Sequence, residues 1–192
     1  MISIDLSAAH RVLAPRLVLL VGTQSSAGVG NCIPVSNVTS VSTAPEAVAV
    51  AVYHEWQTAQ NLLAASGFTM SLPSASQLPL LWQLGAKYSG YANVAKSAKM
   101  EEFHEQLDWG FSSYGPVLIG AIAWFECVIE RRVTDLGDHY LVIGVVTRVV
   151  ADPEVYDPLG DSPHVPEPVM QWTRNHFTTP GPLLDLDFYQ KG

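Results

Sequence analysis

Short apolar segments separated by glycine- and proline-containing turns recur along the chain, and this pattern predicts a mainly β protein. Valine and alanine alternate from Ala47 to Val52, and this period of two with β-branched residues favours a strand over a helix. One face of that strand is alanine alone, which suits plain barrel packing or the close approach of a neighbouring strand, a ring or a second subunit. Strands are predicted over 17–23, 31–36, 47–52, 68–73, 117–132 and 139–150, with a hairpin at Gly137-Asp138 joining the last two.

Helical patterns are fewer and shorter. Residues 57–66 carry apolar side chains at helical spacing and are followed by Gly67, a residue typical of helix ends. Further helices are predicted over 74–84 and 100–108, and one helical turn over 7–11. Many short strands with few helices favour a closed antiparallel β-barrel, Greek-key-like, with peripheral helices.

The C-terminal part of the chain differs in composition. Residues 152–168 are rich in proline and acidic side chains, which predicts an extended surface arm with little regular structure. The tail over 169–192 contains Trp172 and Phe177, so it is expected to pack on the barrel or on a partner subunit. A length of 192 residues favours one domain over 1–192, with 152–192 as its C-terminal arm and tail.

Composition restricts the possible classes of protein. A formal net charge of −8 with only ten basic residues argues against nucleic-acid binding, which normally requires a basic stripe. No uncharged stretch is long and apolar enough for a membrane span, and the N-terminal sequence lacks the features of a signal peptide, so we expect a cytoplasmic protein. Because 48% of the residues are hydrophobic and only 15% charged, we expect burial against a second copy, as a homodimer.

Cysteine and histidine give no pattern of a metal site. Cys32 and Cys127 lie in strand-like apolar surroundings, where a free cysteine behaves as a small hydrophobic residue. The six histidines are scattered, and none has another histidine or a cysteine four residues away. We therefore predict no metal.

The stretch from Asn31 to Ser42 combines strand-forming residues with small hydroxyl and amide side chains. Between Leu17 and Ala86 the only charged side chains are Glu46 and Glu55. Uncharged polar groups hydrogen-bond the rim of a heteroaromatic ring without burying an unpaired charge. This stretch therefore suits a neutral planar ligand.

Four motifs occur in order along the chain. Thr39-Ser40-Val41-Ser42 with Pro45 matches T-S-V-S-x-x-P, Thr58-Ala59-Gln60-Asn61-Leu62 is close to T-x-x-N-I, Tyr88-Ser89-Gly90 with Lys96 is close to S-G-x-x-x-x-x-K, and Gly137-Asp138-His139 with Ile143-Gly144-Val145-Val146 is close to G-D-H followed by x-G-x-V. With these four matches in register over 15–146, the chain resembles the flavin reductase-like, FMN-binding split-barrel family.

The resemblance implies an FMN-binding oxidoreductase with the split-barrel fold. Such a protein accepts hydride from NADH or NADPH and passes electrons to free flavin, oxygen or a protein partner such as a monooxygenase component. The resemblance also implies that the flavin ring is lined, largely by backbone, by Ser36, Asn37, Val38, Thr39 and Ser40, and that the phosphate is surrounded by His54, Gln57, Thr58 and Lys96.

The phosphate residues also have simpler interpretations. A helix that begins near Thr58 presents unpaired N–H groups that favour an anion, but Thr58 or Gln57 would also serve merely as a cap. Lys96 would compensate the phosphate charge or simply be solvated. Glu55 departs from the family pattern. Because a carboxylate is unfavourable beside a phosphate, the phosphate of FMN would use another anchor.

His139 begins a strand directly after Gly137-Asp138. The resemblance places it near the flavin and the nicotinamide, where it would hydrogen-bond the substrate or assist protonation as the catalytic residue. A structural or solvated histidine is the alternative. Two other functions stay open for the whole chain: a flavoredoxin-like FMN electron carrier without NAD(P)H activity, and a non-catalytic split-barrel binding protein.

Overall fold

The computed structural model describes residues 2–87, 99–153 and 167–181. The strands in these ranges are β1 (Arg16–Leu17), β2 (Leu19–Gln24), β3 (Gly30–Val35), β4 (Val38–Thr43), β5 (Glu46–Tyr53), β6 (Gly67–Leu72), β7 (Leu107–Asp108), β8 (Val117–Leu118), β9 (Ala123–Val133), β10 (His139–Ala151), β11 (Met170–Thr173) and β12 (His176–Thr178). The α-helices are α1 (Gln57–Ala64), α2 (Leu78–Trp82) and α3 (Lys99–Glu102), with 3-10 turns at Leu6–Arg11, Ala75–Gln77 and His104–Gln106 and a π-helical turn at Gln83–Lys87. No helix in the described part of the chain is long and apolar enough to cross a membrane.

Seven strands form the main sheet, in the order β3-β2-β6-β9-β10-β5-β4, and every neighbouring pair is antiparallel. The two edge strands, β3 and β4, are consecutive in the chain and are separated only by Ser36 and Asn37. The backbone N–H of Ala51 in β5 donates to the carbonyl of Asn37 at 2.9 Å. This bond extends the ladder between β4 and β5, and two residues join the two edges of the sheet. The predicted mainly β fold with peripheral helices is confirmed.

The period of two in β5 sorts its side chains between the two faces of the sheet. Val48, Val50 and Val52 belong to the main hydrophobic core, where Phe68 and Leu62 are also buried. A second core lies on the other side of the sheet, beneath α2, and includes Val18, Leu20, Cys32, Leu81, Leu84 and Leu118. Strand β2 contributes to both cores, so it is buried on both faces.

Two predicted elements are wrong in extent. Residues 117–132 do not form one strand, because β8 ends at Leu118 and the chain turns through Gly120, whose φ is 69°, before β9 begins. Strand β8 pairs with β7, whereas β9 pairs with β6 and β10. Residues 117–132 therefore belong to two different sheets. The helix predicted over 100–108 is also shorter, since it gives way to a 3-10 turn and then to β7.

The described part of the tail packs on the barrel, as one of the two alternatives predicts. Strand β11 pairs with both β1 and β12 in a separate three-stranded sheet. Val169 is 1% exposed in the second core, and the ring of Phe177 meets that of Trp82 edge-on, with 6.1 Å between centroids. Most of the predicted surface arm, 154–166, and the end of the tail, 182–192, lie outside the described residues, and the single-domain organisation stays a prediction.

Candidate functional site

The predicted ring-binding segment, Ser36–Ser40, crosses from β3 into β4. In the register of the sheet Val38 lies opposite Val50, and Thr39 lies opposite Ala49. Because β4 is the last strand of the sheet, the N–H and C=O groups on its outer side have no strand partner within the described residues. Such a row of backbone donors and acceptors matches the polar rim of a planar heteroaromatic ring.

Side chains at the start of this segment are already engaged with other elements. The hydroxyl of Ser36 donates to Oε1 of Gln171 in β11 at 2.8 Å. Oδ1 of Asn37 accepts a hydrogen bond from Nη1 of Arg16 in β1, also at 2.8 Å. These contacts fix the segment to the β1–β11 ladder through its side chains.

Arg16 is a residue that the sequence did not single out. Its guanidinium is the cation that the fold brings against the otherwise uncharged segment. Nε of Arg16 is buried and has no hydrogen-bond partner, and Arg16 makes no ion pair with any carboxylate that the structure describes. In the sequence, the one indication of this role is that Arg16 directly precedes the nearly charge-free stretch that begins at Leu17.

Helix α1 is anchored through buried polar side chains. Thr58 is fully buried, and its hydroxyl accepts from Nδ2 of Asn31 at 2.8 Å. Asn61 is also buried; its Nδ2 donates to the hydroxyl of Thr23 at 3.0 Å, and its Oδ1 accepts from Nε2 of Gln57 at 3.0 Å. Thr58 and Asn61, the polar residues of the second motif, therefore join the helix to β2 and β3.

The start of α1 has the form of an open helix end. Trp56 is the N-cap residue, and no side chain makes a capping hydrogen bond, so the capping role considered for Thr58 and Gln57 is wrong. His54 lies just before the helix, with its Nε2 4.0 Å from a carboxylate oxygen of Glu55, whose side chain is 69% exposed. An exposed carboxylate in this place disfavours a phosphate.

Aromatic rings cluster where β5 ends and β10 begins. The ring of Tyr53 stacks on that of His54 with 4.8 Å between centroids and meets His139 edge-on at 5.8 Å. Tyr53 also contacts Trp56 edge-on at 6.1 Å, and Trp56 is 41% exposed. The fold thus brings the two predicted histidines, His54 and His139, to one partly exposed aromatic surface.

Asp138 holds His139 directly. A carboxylate oxygen of Asp138 lies 2.7 Å from Nδ1 of His139, and the carbonyl of Asp138 accepts from the backbone N–H of His54 at 3.0 Å. The hydrogen bond to His139, followed by the charge interaction with it, lowers the pKa of Asp138 below its usual value. Asp138 is the second residue whose position in the site the sequence did not predict.

The predicted residues are therefore only partly brought together. The Ser36–Ser40 segment lies along one side of β5, and His54, Gln57 and His139 lie at the C-terminal end of that strand. The hydroxyl of Thr58 faces the protein interior. Lys96 lies outside the described residues, as does the motif Tyr88-Ser89-Gly90. Within the described chain no group of three or more histidine, cysteine or acidic residues is placed to hold a metal ion.

Comparison of the fold identifies its class. An FMN-binding protein from Thermus thermophilus, solved with bound 1-cyclohex-2-enone, superposes with a TM-score of 0.79 at 20% identity, over 97% of this chain and 98% of that one. Component B of nitrilotriacetate monooxygenase from Bacillus cereus gives the same TM-score, identity and coverage. The fold is that of the FMN-binding split-barrel proteins.

The family follows from the sequence. The family model described as "Flavin reductase like domain" matches residues 11–179, and the chain belongs to that family. A curated relative, an NADH-dependent FAD reductase from Streptomyces globisporus, is 31% identical over 110 residues. That match spans 56% of this chain and 56% of the relative, so a little over half of the relative's length is covered.

Proposed function

We propose that the protein is an NAD(P)H:flavin oxidoreductase that binds FMN, accepts hydride from NADH or NADPH and passes electrons to free flavin, oxygen or a protein partner. The observation that carries this proposal is that the edge strand β4 and the surface formed by His54 and His139 both adjoin the same strand, β5. The outer edge of β4 offers backbone groups for a ring, and the C-terminal end of β5 offers titratable groups beside an open helix end. Family membership and the split-barrel fold support the same function.

Each part of the site has a distinct role in the proposal. The flavin supplies the redox chemistry when bound, and the protein positions it and leaves one face open for the nicotinamide. The backbone of Ser36, Asn37, Val38, Thr39 and Ser40 holds the ring. His54, Gln57 and Lys96 surround the phosphate, and Thr58 contributes by fixing α1 through Asn31.

His139 is the proposed catalytic residue. Its Nδ1 faces the carboxylate of Asp138, so in the neutral imidazole the proton resides on Nδ1 and Nε2 carries the lone pair. Nε2 is then able to accept a hydrogen bond from the nicotinamide carboxamide or to take part in proton transfer. The side chain is 35% exposed, which leaves room for that contact.

We also propose a homodimer through the outer face of β5 and β10. Ala47, Ala49 and Ala51 lie opposite Val145, Ile143 and Leu141. Ala47 and Ala49 are buried, and the other four residues are half-buried. Val128, the partner of Val145 in β9, is 36% exposed on the same face. An apolar sheet face of this kind favours a second copy of the chain. We further propose a cytoplasmic location and, by analogy with component B of nitrilotriacetate monooxygenase, a monooxygenase component as a protein partner.

The decisive experiment is anaerobic reduction of bound flavin. Purified protein is titrated with FMN and, in parallel, with FAD, because the name of the curated relative contains FAD. NADH or NADPH is then added without oxygen, and the visible flavin bands are followed. Bleaching at a catalytic rate supports the oxidoreductase, bound flavin that stays oxidised supports the flavoredoxin-like carrier, and absence of binding contradicts both.

A further inference from the structure

The guanidinium of Arg16 is a partly buried positive charge that has no counter-charge among the described residues. The hydrogen bond that it makes to a described residue runs from Nη1 to Oδ1 of Asn37 at 2.8 Å. Nε is buried and unpartnered, and no described carboxylate pairs with the group. A buried N–H without an acceptor and a desolvated charge without an opposite charge both cost free energy. An anion beside Arg16 would remove part of this cost.

The position of Arg16 is fixed by the fold. Arg16 lies opposite Gln171 in the β1–β11 ladder, and Gln171 accepts from the hydroxyl of Ser36. Arg16 and Gln171 therefore bind two consecutive residues, Asn37 and Ser36, at the point where the sheet edges meet. Arg16 is therefore held at the proposed flavin segment by the pairing of β1 with β11 and by its hydrogen bond to Asn37.

The expected phosphate position at α1 is electrostatically poor. Glu55 places an exposed carboxylate beside His54, and the hydroxyl of Thr58 is buried on Asn31. The phosphate nevertheless carries the full negative charge of the oxidised ligand, whereas the rim of the flavin ring is neutral. A planar guanidinium binds phosphate oxygens strongly through its several N–H groups. Nη1 donates to Asn37, and the other N–H groups of Arg16 stay available.

From these contacts we propose that Arg16 is an anion-binding residue of this site and an anchor for the phosphate of FMN. This inference rests on the proposed function, because it assumes that a flavin lies on the Ser36–Ser40 segment. It adds to that function a cation that reaches the segment from β1. The amide oxygen of Asn37 then orients the guanidinium, and the hydroxyl of Ser36 stays engaged with Gln171, so neither side chain binds the phosphate itself.

The test compares FMN with riboflavin, which lacks the phosphate. Arg16→Gln removes the charge, Arg16→Lys keeps a charge without the fork, and Arg11→Gln is the matched control at an exposed arginine. Dissociation constants are measured by quenching of flavin fluorescence at low and high salt. We expect Arg16→Gln to weaken FMN binding by about 10- to 100-fold, as for loss of a charged hydrogen bond. Riboflavin binding should stay unchanged, Arg16→Lys should be intermediate, and salt should reduce the difference.

Two results would overturn the proposal. One is an FMN affinity in Arg16→Gln equal to that of Arg11→Gln, and the other is an equal loss for FMN and riboflavin, which would indicate a contact with the ring or a structural role. Far-UV circular dichroism and the urea midpoint of each variant exclude misfolding, with Arg16→Lys as the variant that preserves the side chain's length and charge. Failure of the wild type to bind either flavin would contradict the proposed function as well, whereas normal NAD(P)H-dependent bleaching in Arg16→Gln with unchanged FMN affinity would overturn only the role of Arg16.

Discussion

Nδ2 of Asn31 donates to the hydroxyl of Thr58 at 2.8 Å and so joins β3 to the first turn of α1 across 27 positions of sequence. Both side chains belong to segments that the sequence connects with flavin binding, yet their contact is with each other. Replacement of Thr58 by valine removes the acceptor and leaves the amide of Asn31 without it. We expect the free energy of unfolding to fall by about 1–3 kcal/mol, measured by urea denaturation.

The control for Thr58→Val is Thr43→Val, which makes the same change at an exposed position. Thr58→Ser keeps the hydroxyl and should recover most of the loss. A stability of Thr58→Val equal to that of the wild type would mean that Asn31 finds another acceptor. In that case the hydrogen bond would not be what fixes α1.

Replacement of Asp138 by asparagine should change the tautomer of His139. The carboxylate only accepts, which selects the Nδ1–H form, whereas an amide both donates and accepts. Imidazole ¹⁵N chemical shifts, assigned with His139→Gln, should show Nδ1–H in the wild type and a mixture in Asp138→Asn. Asp135→Asn in the same hairpin is the control, and an unchanged tautomer in Asp138→Asn would refute the positioning role.

The same pair has a defined pH dependence. Because its contact with His139 lowers the pKa of Asp138 in the folded protein, the ionised carboxylate is present from neutral pH down to that lowered value. The stabilisation it gives is present above the ordinary value of 3.8 and is lost as pH falls through the folded pKa. The Asp138→Asn and wild-type proteins should therefore converge in stability only in strong acid, measured by thermal unfolding across pH.

The two cysteines should be unreactive in the folded protein. Burial raises the pKa of Cys32 to about 11 and that of Cys127 to about 12. The thiolate is the reactive form, and at pH 8 its fraction is about one in a thousand or less. Ellman's reagent at pH 8 should label neither thiol in buffer and both in urea; rapid labelling in buffer would show that one is accessible.

These thiols also predict alkaline sensitivity. Their pKa values are raised on folding from the ordinary 9.0, so the protonated thiols favour the folded state below that pH. This contribution is lost progressively as pH rises from 9.0 through about 11. Replacement of Cys32 by alanine should flatten that part of the stability profile, and an unaltered slope would contradict the assignment.

Gly144 should not tolerate a side chain. A Cβ there would lie 2.6 Å from Cε1 and 2.8 Å from Cζ of Phe68, a fully buried ring in the main core. We expect Gly144→Ala to lower the free energy of unfolding by about 1–3 kcal/mol, measured as a fall in Tm. Adding Phe68→Leu should recover part of the loss, and Gly181→Ala, with nothing within 4 Å, should be neutral.

The proposed dimer depends on the outer sheet face. Val128→Glu places a charge there, and burial of an unpaired charge in an interface is unfavourable. We expect this variant to elute as a monomer in size-exclusion chromatography with light scattering, at a concentration where the wild type is a dimer. Leu136→Glu, at a residue 63% exposed in the β9–β10 hairpin, is the control. A monomeric wild type would refute the dimer itself.

The sequence by itself determined the local elements and the family. Alternation from Ala47 to Val52 predicted a strand and which side chains share each face, because the period of a strand is a property of neighbouring residues. Gly137-Asp138 predicted the turn between the two long strands for the same reason. The four motifs, read in order, predicted the flavin reductase-like family that the family model then matched.

Only the tertiary structure decided how these elements share surfaces. Arg16 reaches Asn37 because β1 pairs with β11 near the other end of the chain, and Thr58 points inward because Asn31 lies beneath it. The division of 117–132 between two sheets likewise depends on the pairing of β8 with β7. Local patterns specify the period and the ends of an element, whereas burial and hydrogen bonding summed over distant strands decide what each side chain contacts.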